Sequence, residues 1–360
     1  MRRGRIILRT GKGRKAAALF LGGILAAGLL TGCGSSSDES DSAESESAAA
    51  DGETVYITNV SYDPTREFYE AYNELFAEYY YEETGMTVEV TQSHGGSGSQ
   101  ARSVIEGNDA DVVTLALAHD ITLIEEEGMI DEGWIDEFDG NSSPYTSTIV
   151  FLVRAGNEKG IEDWDDLTNE GVEVITPDPK SSGGACWNFL AAWYYADLTY
   201  GGDEDAMKQF VSDLYANVLV MDSGARGATT TFVENGQGDV LIAWENEALL
   251  ALEEYPGEYE IVTPSISILA EPSVAVVDEN AEANGTEEVA AAYLEYLYSD
   301  EAQQLAGENY YRPSNEEILE SFSDTFDLEI EMCTIDDFGG WDQAYADFFD
   351  DGAIFDEIYE

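Results

Sequence analysis

One unit occurs twice in this chain, and its recurrence limits the fold more than any other feature. In the first copy a β-prone run from Thr87 to Gln92 enters the loop Ser93-His94-Gly95-Gly96-Ser97-Gly98-Ser99. A helical pattern then runs to Glu106, and Gly107 leads to a strand from Asp111 to Leu115. In the second copy Ser223-Gly224-Ala225-Arg226-Gly227-Ala228 opens a helix to Glu234, and a glycine-rich turn leads to the run Asp239 to Trp244. Strands alternating with helices imply a parallel sheet covered by helices. Two copies imply two such lobes. Ligands of open α/β sheets lie beyond the carboxyl ends of the strands, where these loops fall, so the expected site is a cleft between the lobes.

A third loop sharpens the chemistry. Val172 to Ile175 reads as a buried strand, and Thr176-Pro177-Asp178-Pro179-Lys180-Ser181-Ser182-Gly183-Gly184-Ala185 joins it to an apolar helical pattern through Trp187 to Tyr195. The prolines stiffen the approach, and Ser-Ser-Gly-Gly leaves bare backbone at the helix start. The first N–H groups there have no intrahelical partner, and a helix N-terminus favours an anion. The expectation is one small oxyanion enclosed by such donors.

Around these loops the remaining chain falls into place. Val55 to Val60 predicts the first strand, and Asp63, Pro64 and Gly85 suit the N-cap, first turn and C-terminal cap of a helix from Thr65 to Thr84. Thr146 to Arg154 is a continuous β-prone run able to cross between lobes, and Ser265 to Val277 is able to return. Helices from about Thr286 to Tyr298 and Asp300 to Glu308 complete the first lobe. The expected division is 53–145 for the first lobe, 146–265 for the second and 266–345 for the return, with 346–360 unassigned.

The N-terminal residues read as an address rather than as structure. Seven Lys/Arg and no acid in the first fifteen residues precede an uncharged apolar segment, Ala16 to Leu30, ending Leu30-Thr31-Gly32-Cys33. That is a lipoprotein signal peptide, 1–32, with Cys33 as the lipid-bearing residue; the apolar run falls short of the roughly 20 residues a spanning helix needs. Gly34 to Gly52 has no aromatic or β-branched residue, so 33–52 reads as an acidic tether. The formal net charge is −60, with 75 acids against 15 Lys/Arg. Such a chain has nothing to neutralise nucleic-acid phosphates. Exposed charges are largely screened beyond roughly 8 Å at physiological salt, so an anion site here must act through dipoles at contact distance.

Enzyme signatures are missing. There are two histidines, His94 and His119, and no G-x-S-x-G elbow, HExxH, CxxC or calcium loop; no metal or cofactor is expected. Cys186 and Cys333 remain after Cys33, and outside the cytoplasm a disulfide between them and two buried thiols are both open. Arg66, His94 and Arg226 adjoin the donor loops. They read as supports of those loops rather than as ligand contacts, because a charge buried in a closed cleft needs its own partners.

Several longer motifs, taken together, carry a resemblance. Asn59 to Glu67 (N-V-S-Y-D-P-T-R-E), Gln92 to Gly98 (Q-S-H-G-G-S-G), the Thr176–Ala185 loop, Asp222 to Thr229 (D-S-G-A-R-G-A-T), Ile242 to Glu247 (I-A-W-E-N-E) and Asn309 to Pro313 (N-Y-Y-R-P) resemble the sulfate-binding proteins of ABC importers. The resemblance implies a two-lobed α/β fold of the periplasmic-binding-protein kind (type II), each lobe a mostly parallel sheet with helices on both faces and the ligand in the cleft. It implies main-chain donors at Asp63, Ser97, Gly183, Gly184 and Ala225, the Ser182 hydroxyl and the Trp244 indole N–H, with no cationic side chain on the anion. It further implies a monomeric, extracytoplasmic receptor for sulfate or thiosulfate that serves a membrane permease driven by a cytoplasmic ATPase, touching the membrane only through the lipid at Cys33. The family's usual arginine after S-S-G-G-A is replaced by Cys186. A receptor for phosphate or molybdate, or a lipid-anchored surface hydrolase, are the competing classes. The Asp63 carboxylate is expected to turn away from the anion and cap its own helix.

Overall fold

The computed structural model describes residues 54–359. The expected signal peptide, Cys33 and the whole of the tether, 33–52, lie outside the described residues. In chain order the strands are β1 (Thr54–Tyr62), β2 (Thr87–Gly95), β3 (Val112–Leu115), β4 (Tyr145–Thr146), β5 (Ile149–Arg154), β6 (Val174–Pro177), β7 (Val218–Asp222), β8 (Val240–Trp244), β9 (Tyr259–Val262), β10 (Ser267–Ile268), β11 (Ser273–Val276), β12 (Arg312–Pro313) and β13 (Met332–Cys333). The helices are α1 (Arg66–Thr84), α2 (Ser97–Ile105), α3 (Ala118–Glu126), α4 (Asp139–Ser142), α5 (Gly183–Tyr200), α6 (Glu204–Ala216), α7 (Ala225–Val233), α8 (Glu245–Glu254), α9 (Asp278–Asn284), α10 (Glu287–Tyr296), α11 (Asp300–Glu308), α12 (Glu316–Ser321), α13 (Trp341–Phe348) and α14 (Ile354–Tyr359).

Two sheets form the two lobes. The first has the order β11-β3-β1-β2, and β1 is parallel to both β2 and β3. The second has the order β7-β6-β8-β5-β9, and β6 is parallel to β7 and β8. The parallel pairings thus belong to the strand–helix–strand units legible in the sequence. β11 and β5 run against their neighbours, because each enters its sheet from the other lobe rather than through a covering helix.

Those entries lie side by side. The run Thr146–Arg154 breaks at Ser147, which exchanges main-chain bonds of 2.9 Å with Ala270, while Thr148 Oγ1 donates to Ser267 Oγ at 2.8 Å. Two laced crossings make a short waist between the sheets, with the loops of both lobes facing each other beyond it.

Burial explains the elements. Phe68, Tyr69, Tyr72, Phe76 and Tyr80 of α1 are all buried, and Phe76 meets Tyr293 of α10 edge-on at 5.0 Å. Aromatics of this helix are core, as aromatic area in a helix usually is. The C-terminal residues pack on second-lobe helices: Phe349 and Phe355 lie 5.4 and 5.9 Å from Phe189 of α5. Among the described residues no helix is long and apolar enough to cross a membrane.

Two expectations are corrected. Cys186 and Cys333 are free, buried thiols: Cys186 Sγ turns to the Pro179 carbonyl at 3.4 Å, while Cys333 sits in the β10–β13 pair, so the disulfide option gives way to the buried-thiol one. Asp63 does not cap α1. A 3-10 turn, Asp63–Thr65, intervenes, and neither it nor α1 has a side-chain cap.

Candidate functional site

A small cavity lies where the loops of the two lobes meet, lined by Tyr62, Asp63, Gly96, Ser97, Ser182 and Trp244, with Pro64, Gly95, Ala116, Gly184 and Ala225 completing the wall. Its empty space is ≈ 180 Å³. Six of the seven donor positions expected from sequence line it. The seventh, Gly183, starts α5 between Ser182 and Gly184 and packs on the first lobe, where an added Cβ would meet Ala116 at 2.8 Å and Leu117 at 2.9 Å.

Helix starts converge here. Ser97 opens α2, Gly183 opens α5, Ala225 opens α7, Trp244 precedes α8, and Asp63 begins the 3-10 turn. None of these starts is capped by a side chain, so the first N–H groups of α2, α5 and α7 remain available as donors, whereas that of α8, on Glu245, donates to the Thr148 carbonyl at 2.9 Å. Acid placement makes the same point. In a chain with 75 acids, α2, α5 and α7 carry none in their first turns, whereas α3, α6, α9, α10 and α11 all do. Negative charge is favourable at a helix start, and at these three the place is left for something other than the chain's own carboxylates.

The deciding side chain is Trp244. It is 1% exposed, and its indole Nε1 is buried without a hydrogen-bond partner. Leaving such a donor unpaired costs about 1–3 kcal/mol, so it calls for an acceptor in the cavity. Tyr62 packs its ring on the indole, centroids 5.3 Å apart. Gly184 admits the indole because a Cβ at that position would strike Nε1.

The Ser97 hydroxyl is already engaged: it donates to Asp120 Oδ2 at 2.5 Å and accepts from Ala116 N at 2.9 Å. Its amide is therefore the group left for a ligand. Asp120 is buried, and burial raises its carboxyl to about 6 against the lowering by the Ser97 bond and Arg102.

No cation lines the cavity. Arg226 makes a bidentate pair with Glu67 (2.8 and 2.7 Å) and contacts Glu247 (2.8 and 3.2 Å), tying α7 of the second lobe to α1 of the first. Burial opposes its charge, but these carboxylates raise its basicity. Arg66 lies 3.7 Å from Asp63 and is half exposed. His94 Nδ1 is 2.8 Å from Ser61 Oγ; burial and then the charge of Arg66 lower it to about 4, so the ring is neutral at ordinary pH. The Asp63 carboxylate reaches across to Gly224, at which an added Cβ would collide with it. Burial raises its pKa, with Arg66 and Arg226 pulling the other way.

Tyr62, Pro64, Gly95, Gly96 and Ala116 also line the cavity and were not among the donors expected from sequence. Gly96 is required by the fold rather than flagged by its local sequence: a Cβ there would sit 2.5 and 2.8 Å from the carbonyls of Ser181 and Ser223 across the cleft. A second groove between α7 and α8 is lined by five glutamates, Glu67, Glu234, Glu247, Glu253 and Glu254, against one cation, Arg226, which is already paired with Glu67 and Glu247. Among the described residues no cluster of His, Cys, Asp and Glu suits a metal ion.

Residues 65–312 match the family described as bacterial extracellular solute-binding protein. The chain belongs to that family. Relatives at high identity agree over almost their whole length. The sulfate-binding protein of Escherichia coli K12 is 58% identical over 306 residues, 84% of this chain and 93% of that protein. The thiosulfate-binding protein of Pseudomonas aeruginosa is 46% identical, again over 84% of this chain and 92% of its own length. Among solved structures, the sulfate-binding protein SubI from Mycobacterium tuberculosis H37Rv superposes with a TM-score of 0.75 at 35% identity, covering 82% of this chain and 99% of SubI. The two-lobed α/β fold expected from the sequence is the fold of this family.

Proposed function

We infer that the chain is an extracytoplasmic receptor that captures sulfate in the cleft and hands it to an ABC import permease driven by a cytoplasmic ATPase. The observation that carries this reading is the buried, unpaired indole N–H of Trp244 in a cavity of uncapped helix starts without a cation. The amides of Asp63, Ser97, Gly183, Gly184 and Ala225, the Ser182 hydroxyl and the indole are the proposed donors. Arg66, His94 and Arg226 are proposed supports that touch the loops and not the ion.

A cage of donors without acceptors suits a fully ionised tetrahedral oxyanion. Phosphate near neutral pH keeps a proton, and burying that O–H without an acceptor costs about 1–3 kcal/mol. Thiosulfate is the second ligand, favoured by the thiosulfate-binding relative. The chain carries out no reaction in this reading, and it acts as a monomer held to the membrane by lipid on Cys33. The lobes are proposed to comprise 53–145 with 266–345, and 146–265.

The reading is tested by thermal unfolding with added anions. A ligand that binds only the folded state raises the melting temperature. Sulfate should raise it and phosphate should not; equal shifts from both would remove the claim of a proton-free ligand.

A further inference from the structure

The proline-rich loop before α5 carries one cation, Lys180, and it faces away from the cavity. Its Nζ donates to the carbonyls of Phe349 (2.8 Å) and Asp350 (3.2 Å), and it pairs with Asp356 at 2.9 Å. Phe349 is the C-cap of α13, so the ammonium sits on the negative end of that helix. Asp356 is held ready by the Gly352 amide at 2.6 Å, and that bond, then Lys180, lowers its pKa. Only one residue separates Lys180 from Ser182, the N-cap of α5.

The same C-terminal segment reaches the first lobe. Tyr345 stacks on His119 of α3, centroids 3.8 Å apart and 19° from parallel. His119 is the neighbour of Asp120, which accepts the Ser97 hydroxyl. Trp341 packs edge-on against Trp187 at 4.7 Å, and the Trp187 indole donates to the carbonyl of Ala116, a cavity residue of the first lobe, at 2.9 Å. Segment 341–359 therefore touches the supports of both Ser97 and Ser182–Gly184.

We propose that this C-terminal segment braces the anion-binding loops of the two lobes against each other, with Lys180 as the positioning residue that couples it to the Ser182–Gly184 donors. This rests on the reading of the cleft as a sulfate site. It gives a role to the stretch 346–360, which sequence left unassigned, and it explains how a lysine stands in a donor loop without meeting the ligand.

The test uses calorimetric titration with sulfate, melting of the ligand-free protein and amide exchange, applied to Lys180→Met, Lys180→Arg, Asp356→Asn and the Lys180→Met/Asp356→Asn double variant. Lys180→Met and Asp356→Asn should each weaken sulfate binding about three- to tenfold, as coupling through packed elements does. The double variant should be no weaker than Lys180→Met alone, and Lys180→Arg should stay within about twofold of the unsubstituted protein. Ligand-free melting should not move, and exchange at the Ser182 and Ala185 amides, which bond the Asp178 and Ser182 carbonyls at 2.9 and 3.0 Å, should quicken in Lys180→Met. Unchanged exchange in Lys180→Met overturns the brace, as does a loss of affinity that follows a lower ligand-free melting temperature and is not recovered by arginine. The exchange readout needs no ligand. If the unsubstituted protein fails to bind sulfate, the proposed function falls while the exchange result still decides the brace.

Discussion

The indole nitrogen of Trp244 stands against the Cα of Gly184 so closely that no side chain fits between them. One donor from the start of α5 and one from the end of β8 are thereby aimed into the same small cavity. Gly184→Ala should push the indole aside and weaken sulfate binding by about ten- to hundredfold, the equivalent of about 1–3 kcal/mol for a misplaced donor. Trp244→Phe keeps an aromatic ring beside Tyr62 but removes the N–H together with part of the indole, so a loss of at least similar size is expected with the fold intact. Titration calorimetry with circular dichroism checks both; full affinity in Trp244→Phe would remove the indole from the site.

Arg226 and Glu67 should behave differently although they form one pair. Glu247, the other partner of Arg226, has a side chain only 2% exposed. Removing the arginine leaves that carboxylate buried without a cation, a loss of about 3–5 kcal/mol. Glu67 is 38% exposed and takes up solvent when its partner goes, so breaking that contact costs about 0–1 kcal/mol. Arg226→Met should therefore unfold at clearly lower urea than Glu67→Gln. Equal midpoints would contradict the asymmetry.

Asp120 gives a pH signature. Its carboxyl lies at about 6 in the folded chain, above the roughly 3.9 of an unfolded one, mainly because it is buried. The folded state holds more protons in that interval, so the stability linked to this group is complete below about 4 and is lost as pH rises through about 6. Asp120→Asn keeps an acceptor for the Ser97 hydroxyl and has no charge to bury. Its melting temperature relative to the unsubstituted protein should be most favourable at pH 8 and decline as pH falls from about 6 towards 4. His94, lowered to about 4, loses stability on acidification, but it titrates in both proteins and cancels in the difference. A difference that does not vary with pH would contradict the assignment.

The starts of α2, α5 and α7 were legible because Ser/Gly loops interrupt a strand pattern just where a helical period begins, and that signal is local. The waist was half legible: the β-prone run from Thr146 was plain, but its break at Ser147 depends on Ala270, far along the chain. Asp63 was misjudged because Asp-Pro marks a helix start without saying whether a 3-10 turn comes first. Tyr62 was missed since nothing near it separates a tyrosine that walls a site from the many that pack the core. The C-terminal segment stayed unreadable because its partners, Lys180 and Phe189, lie roughly 160–175 residues away.

The central claim is that neutral donors in a closed cleft select a tetrahedral anion that carries no proton. Calorimetric titration of the ligand-free protein at pH 7.5 with sulfate and, separately, with phosphate tests it most directly. The account predicts saturable one-site binding of sulfate and no measurable heat of binding from phosphate at the same concentrations. Phosphate binding as tight as sulfate would contradict it.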